Sequence, residues 1–208
     1  MATAALPELA AVPWREPVGA DRLRRWGRLW TLWTVAWTIP FVVAGAVLIW
    51  IEPLATPVAI ASFVHAWAIP ELHAFRGASV ARRKGARHAD AEPVAQGFLG
   101  DLLDHEPREL QRRTGLALER GSLGRWLIGE AGAILFPHDG RRVHCFCVAT
   151  TDKSLPPSDR VAHLLLALRT DETGFATVAN HAFAGAPSRV RRRLPAEMRP
   201  AFDAAAAN

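Results

Sequence analysis

The feature that most constrains this chain is a 23-residue run, residues 29–51, without a single ionisable side chain. A helix over this run would be roughly 34 Å long, enough to cross a hydrocarbon core about 30 Å thick. A second apolar run follows after a short polar break and contains His65 as its only ionisable group. Since only a few residues separate the two runs, the sequence predicts a transmembrane helical hairpin over 29–73, with helices at 29–51 and 54–72.

Two other interpretations of these runs are a buried hairpin of a soluble protein and a cleaved signal peptide. Tryptophans recur along one stripe at the start of the first helix, and Trp50 lies at its other end, as in the aromatic belts of membrane interfaces. The first run is too long for a signal peptide, and a second apolar run follows it directly. The tryptophans of the stripe are Trp26, Trp30, Trp33 and Trp37.

Basic residues flank the two runs but are missing from the turn between them. Five arginines lie within residues 1–28, and five lysines and arginines lie within 74–93, which we interpret as a basic juxtamembrane linker. The positive-inside rule therefore predicts that both termini are cytoplasmic. The excess of arginine over lysine, with abundant alanine, is attributed to a GC-rich genome rather than to function. The membrane is expected to be a bacterial inner membrane. The residues expected to face its anionic leaflet are Arg76, Arg82, Arg83, Lys84 and Arg87.

The sequence pI is near 10.4, but the excess positive charge is localised beside the apolar runs. Residues 91–208 carry 15 basic against 14 acidic side chains. This distribution favours an anionic lipid surface over nucleic acid as the partner. A cluster near the C-terminus is the exception, and it is a candidate surface for lipid, phosphate or an acidic partner: Arg189, Arg191, Arg192 and Arg193.

Polar side chains inside the hairpin are the next candidates for function. Pairing positions about the turn places His65 level with Phe41 and one helical turn from Thr38. The plain interpretation is a neutral imidazole bonded to Thr38 or to a backbone carbonyl across the hairpin. The alternative is a proton or ligand role within a larger membrane complex.

Residues 94–208 are long enough for one compact domain. Two helices are expected first, over 94–104 and from Pro107 to Gly115, followed by short β-rich runs separated by glycine-containing turns. A further helix is expected from Asp159 to Thr170, capped by Ser158 and ended by Gly174, with a strand over 175–179. The predicted fold is an α+β domain with an antiparallel β-meander. Phe98, Leu99, Leu102 and Leu103 are expected to face inward.

The local cluster with the most chemistry is His144-Cys145-Phe146-Cys147. In a strand the two cysteines share one face, and buried structural cysteines are the plain interpretation. The alternatives are a metal site, for which further ligands would be needed, and a nucleophilic cysteine paired with His163 and Asp159. Phosphate-loop, dinucleotide-binding, zinc-protease and nucleophile-elbow motifs are absent from the sequence. The carboxylates Asp171 and Glu172 are expected to be solvated.

Together these patterns predict a membrane-anchored cytoplasmic module that binds a partner or ligand without catalysing a reaction. A membrane-tethered enzyme using the cysteines is one alternative. A small subunit of a membrane complex that uses His65 is another. The expected partners are the bilayer and a membrane protein or second copy of the chain, and the sequence identifies no cofactor or metal.

Overall fold

The computed structural model describes residues 16–82, 90–138, 141–148 and 155–207. Within these ranges, two long apolar helices precede a unit of shorter helices and strands, in the predicted order. Helix α1 (Ala20–Ile51) and helix α2 (Thr56–Ala78) are joined by a 3-10 turn at Pro53–Ala55. The carboxylate of Glu52 accepts a hydrogen bond from the Leu54 N–H and so caps this turn.

The outer part of the hairpin is held together by close contact between small and aromatic side chains. Gly45 of α1 faces α2 so closely that an added Cβ would lie 2.8 Å from the Phe63 ring and 3.2 Å from the Ala59 carbonyl oxygen. In the most apolar 18-residue stretch of each helix, only 6% of the residues are buried. Core helices of soluble proteins bury most of one face, and these two do not.

Among the described residues, five strands form one antiparallel sheet in the order β1-β2-β3-β4-β5. The turns that join the first strands contain the predicted glycines. Gly132 has a φ of 152°, and its Cβ position is occupied by the Phe146 carbonyl oxygen, so only glycine fits there. The strands are β1 (Ala117–Arg120), β2 (Gly124–Gly129), β3 (Gly132–Pro137), β4 (Val143–Cys147) and β5 (Asn180–Gly185).

Helices cover both faces of the sheet, which separates two hydrophobic cores. One core lies around Trp126 and Phe146, and the other around Ile134 and Phe202. On the first face lie α3 (Glu92–Asp101), α5 (Pro157–Thr170) and α6 (Glu172–Val178). On the second face lie α4 (His105–Thr114), α7 (Pro187–Arg193) and α8 (Arg199–Ala206).

The segment after α5 differs from the prediction. Residues 175–179 were expected to be a strand, but they lie mostly in α6, because the Asp171 carboxylate accepts a hydrogen bond from the Gly174 N–H and starts a new helix. The prediction that Gly174 ends α5 is therefore also wrong. Glu172 is not simply solvated, since its carboxylate accepts hydrogen bonds from Ser122 and from the Trp126 indole N–H.

Two further expectations, about the cap of α5 and the buried face of α3, are also corrected. Ser158 is not the cap of α5, since its hydroxyl donates to Glu92 at 2.6 Å and ties α5 to α3. Phe98 was expected to face inward but is 64% exposed, whereas its neighbour Leu99 is fully buried. Tertiary packing selected the Leu99 face of α3.

The N-terminal part of α1 and the C-terminal part of α2 form the bases of the two long helices. They pack against the edge strand β5 from opposite faces of the sheet. Leu23 and Trp26 of α1 belong to the core around Phe146, and Ala74 and Ala78 of α2 belong to the core around Ile134. The expected linker over 74–93 is thus not a linker throughout, because α2 continues to Ala78, and Val80 and Ala81 after it are buried.

Candidate functional site: a groove at the junction of hairpin and sheet

A groove of about 760 Å³ runs along one face of the hairpin to the edge strand of the sheet. Its outer half lies between the two long helices and is mainly apolar. Its inner half is bounded by β5 and by the segment that leads into α7. The outer half is lined by Thr31, Thr34, Val35, Thr38, Val42, Ala66 and Trp67.

The threonines in the groove wall are satisfied within their own helix. The hydroxyls of Thr31 and Thr34 donate to the carbonyl oxygens of Gly27 and Trp30, and that of Thr38 donates to Val35. Each of these hydroxyl hydrogens is therefore already used in a hydrogen bond, and this half of the groove is suited to an apolar occupant.

Three arginines converge at the inner end of the groove. Arg141 and Arg142 precede β4, and Arg189 lies on α7. Among the described residues, no carboxylate forms an ion pair with Arg141 or Arg142. Gly27 makes room for one of them, because a Cβ there would lie 3.1 Å from Cδ of Arg142.

Next to these arginines, the buried His144 pairs with the partly buried His181. Nδ1 of His144 lies 3.1 Å from Nε2 of His181, and Trp26 stacks on His181 with a ring-centroid distance of 4.7 Å. Burial, with the charges of His181 and Arg142, lowers the pKa of His144 to about 3. Burial lowers the pKa of His181 to about 4. Both imidazoles are therefore neutral at pH 7, and one ring donates the hydrogen bond that the other accepts.

Two polar atoms of residues in the groove wall have no hydrogen-bond partner among the described residues. They are the indole nitrogen of Trp30 and Nδ1 of His73. The two rings meet edge to face at a centroid distance of 5.9 Å. Buried polar atoms are normally paired, so this part of the wall lacks an acceptor for the indole N–H.

The C-terminal arginines, expected to form a partner surface, are partly used inside the molecule. Arg193 donates twice to Oε2 of Glu71 on α2, and Arg192 lies 3.7 Å from the same carboxylate. Arg191 makes a bidentate pair with Asp203 of α8 at 2.6 and 2.7 Å. The Glu71 contacts tie α7 to α2 of the hairpin, and the Asp203 pair ties it to α8. Of the four arginines, Arg189 is the one that lines the groove.

The structure describes two of the five basic residues that were expected to face a lipid leaflet. Arg76 is exposed at the end of α2. Arg82 donates to the Arg193 carbonyl oxygen at 2.8 Å and lies over the Phe75 ring, so it also braces the junction. Arg83, Lys84 and Arg87 lie outside the described residues.

His65 lies where pairing about the turn predicted it. Its ring stacks on Phe41 with a centroid distance of 5.6 Å and an interplanar angle of 12°. The expected hydrogen bond across the hairpin is not formed, because Nδ1 of His65 lies 2.7 Å from the Ala61 carbonyl oxygen of its own helix. Thr38 likewise bonds within α1.

The structure does not bring the cysteine and histidine candidates together. Cys145 and Cys147 belong to the core that includes α7 and α8, whereas Asp159 and His163 lie on α5, which covers the other face of the sheet. Burial raises the pKa of the Cys145 thiol far above its ordinary value, so a reactive thiolate is disfavoured. Within the described ranges, no group of three His, Cys, Asp or Glu side chains could hold a metal ion.

Sequence reasoning missed His181, Arg141 and Arg142. His181 lies 37 positions from its partner His144, and no local pattern marks such a pair. The two arginines carried a weak signal, since they are adjacent basic residues at the start of a predicted strand. Their convergence with Arg189 depends on how α7 packs.

In comparisons with known proteins, no family model, no curated protein and no solved structure matches the chain.

Proposed function

We propose that this protein is a membrane-anchored, non-catalytic ligand-binding module of a bacterial inner membrane. The hairpin crosses the bilayer, and the α+β unit lies on the cytoplasmic side with both termini. Its role is to hold the groove at the membrane surface.

The proposal is supported chiefly by the difference in side-chain exposure between the outer part and the base of each long helix. The outer parts of α1 and α2 leave large apolar side chains exposed, such as Leu32 at 65% and Val43 at 53%. Exposed apolar surface of this extent marks a membrane or protein interaction surface. The bases of the same helices are instead built into the cores of the sheet.

The position of this change supports a particular depth of insertion. Trp30 and Pro70 mark the level at which the helices leave the groove's inner half and the sheet edge. From Thr31 to Ile51 the helix rises roughly 31 Å, which matches a hydrocarbon core about 30 Å thick. Trp33 and Trp37 would then lie inside the boundary, and Trp26 and Trp30 serve to attach the domain.

The orientation rests on charge. Glu52 is the charged residue in the turn at the outer end of the hairpin. The arginines Arg28, Arg76 and Arg189 all lie at the opposite end. By the positive-inside rule this end faces the cytoplasm.

The assignment as a binding module rests on how the titratable groups are used. Cys145 is buried, the two histidines of the pair bond to each other, and Glu172 braces a turn. The groove, in contrast, joins an apolar channel to three arginines that form no ion pair with any described residue, a combination suited to binding an amphiphilic ligand.

The experiment is a topology measurement on the full chain in bacterial membranes. We expect the protein to resist extraction at alkaline pH, a fluorescent reporter after residue 208 to be active, and a periplasmic phosphatase inserted at residues 53–55 to be active. Extraction into the soluble fraction, or phosphatase activity after residue 208, would contradict the proposal. A phosphatase inserted at residues 121–124, in the β1–β2 turn, is the matched control and should be inactive.

A further inference from the structure

We propose that the groove binds one anionic glycerophospholipid, with an acyl chain between the two long helices and the phosphate on Arg141, Arg142 and Arg189. This inference rests on the proposed membrane orientation of the hairpin and names the ligand class of the groove.

The shape and chemistry of the groove select an amphiphile rather than a small anion. Its volume of about 760 Å³ falls within the ~300–1,000 Å³ range of small-molecule sites. Val35, Val42 and Trp67 line one half with apolar surface, and the hydroxyls of the intervening threonines are already bonded to their own helix. A free phosphate would leave this half empty.

The inner end selects a negative charge. Arg141 and Arg142 form no ion pair among the described residues, and the nearby Glu71 is engaged by Arg193 and Arg192. Guanidinium groups bind phosphate oxygens in a bidentate manner, with greater geometric specificity than a lysine. Basic pockets between transmembrane helices on the cytoplasmic side are typical binding sites for lipid headgroups.

The middle of the groove fits the ester region of the same molecule. Trp30 and His73 lie at this level, and the Trp30 indole N–H lacks an acceptor within the described structure. This N–H is closed to water-sized molecules in the groove, so a lipid ester carbonyl would accept its hydrogen bond only after the Trp30 ring turns towards the groove. The polarity of the groove thus follows that of a phospholipid from chain to ester to phosphate.

The test titrates detergent-purified full-length protein with phosphatidylglycerol or with phosphatidylcholine of the same acyl chains, and counts bound lipid by native mass spectrometry. We expect phosphatidylglycerol to bind at least about tenfold more tightly, because phosphatidylcholine carries the same phosphate together with a quaternary ammonium that cancels its net charge and is repelled by the three arginines. In R141Q/R142Q/R189Q this preference should be lost. Inorganic phosphate at the same concentration should not displace the lipid.

The matched control is R112Q/R113Q/R120Q, which removes the same charge from exposed sites away from the groove and should keep the preference. A66W, which fills the apolar half, should weaken binding of both lipids. Thermal unfolding of each variant separates lost binding from lost folding. Equal binding of the two lipids, an unchanged preference in the triple groove variant, or displacement by inorganic phosphate would overturn the inference. A protein that stays in the membrane without lipid selectivity would refute this inference alone, whereas alkaline extraction would refute the proposed function.

Discussion

The two ends of the helical hairpin differ in charge and in surroundings, although each long helix runs without a break from one end to the other: residues 29–51 carry no ionisable side chain, whereas residues 20–28 carry four arginines. Within the described part of the chain, the outer parts of α1 and α2 contact each other and the turn that joins them, through residues such as Gly45 and Phe63. At the base, Gly77 packs so tightly on Phe183 of β5 that an added Cβ would lie 2.8 Å from the Phe183 Cβ. Hydrophobicity alone therefore does not divide this chain into a hairpin and a domain, because each long helix belongs to both.

The largest expected effect comes from removing the base contact. Phe183→Ala should destabilise the protein by about 3–5 kcal/mol, because a buried aromatic ring is replaced by a cavity. Leu32→Ala, on the exposed outer part, is the control and should change stability by less than about 0.5 kcal/mol. Thermal unfolding in mild detergent measures both. Equal effects would mean that the hairpin is not built into the domain.

The histidine pair at the base should make stability depend on pH. The pKa values of His144 and His181 are lowered to about 3 and about 4, whereas both lie near 6.5 in the unfolded chain. The unfolded state therefore binds more protons at acid pH. Stability should be full above about pH 6.5 and fall as the pH drops towards 4, by up to about 1.4 kcal/mol per pH unit for each histidine.

The measurement for this pair is unfolding temperature against pH, with variants of single histidines. His181→Gln should reduce the slope, because one titrating group is removed from the junction. His163→Gln, at an exposed position on α5, should leave the slope unchanged. If His181→Gln also leaves it unchanged, the acid sensitivity arises elsewhere.

A smaller effect is expected at the ion pairs that join α7 to the hairpin. The Glu71 side chain is only 13% exposed and accepts two hydrogen bonds from Arg193. Glu71→Gln should cost about 1–2 kcal/mol, since the bonds lose their charge assistance. Glu109, 45% exposed and paired with Arg112, is the control, and its substitution by Gln should cost less than about 0.5 kcal/mol. Comparable losses would show that α7 is not anchored through Glu71.

The smallest effect is expected at the outer end. His65→Ala removes the stacking on Phe41 and a hydrogen bond within one turn of α2, so we expect a loss of about 1 kcal/mol or less. Assembly and lipid binding should be unchanged. A loss of several kcal/mol, or a change of oligomeric state in detergent, would instead support a role for His65 within a larger complex.

Local patterns predicted much of the fold. The uncharged run produces α1 because its length and composition permit little else, and pairing about the turn placed His65 against Phe41. The stop of α4 at Gly115 was also predicted, and the glycine has the left-handed φ of 75° that such a cap needs. The segment over 175–179 was predicted as a strand because its apolar residues fit the spacing of a strand as well as that of a helix. The hydrogen bond from the Gly174 N–H to the Asp171 side chain starts a helix there instead.

The sequence by itself determined that two long apolar helices precede an α+β unit, since charge, hydropathy and turn glycines act over neighbouring residues. Only the tertiary structure decided that the helix bases clasp β5, that His144 meets His181, and that Arg141, Arg142 and Arg189 converge on one groove. These contacts join residues far apart in the chain. They depend on which face each helix presents and on how closely glycines let the backbones approach, and neither is encoded in any local pattern.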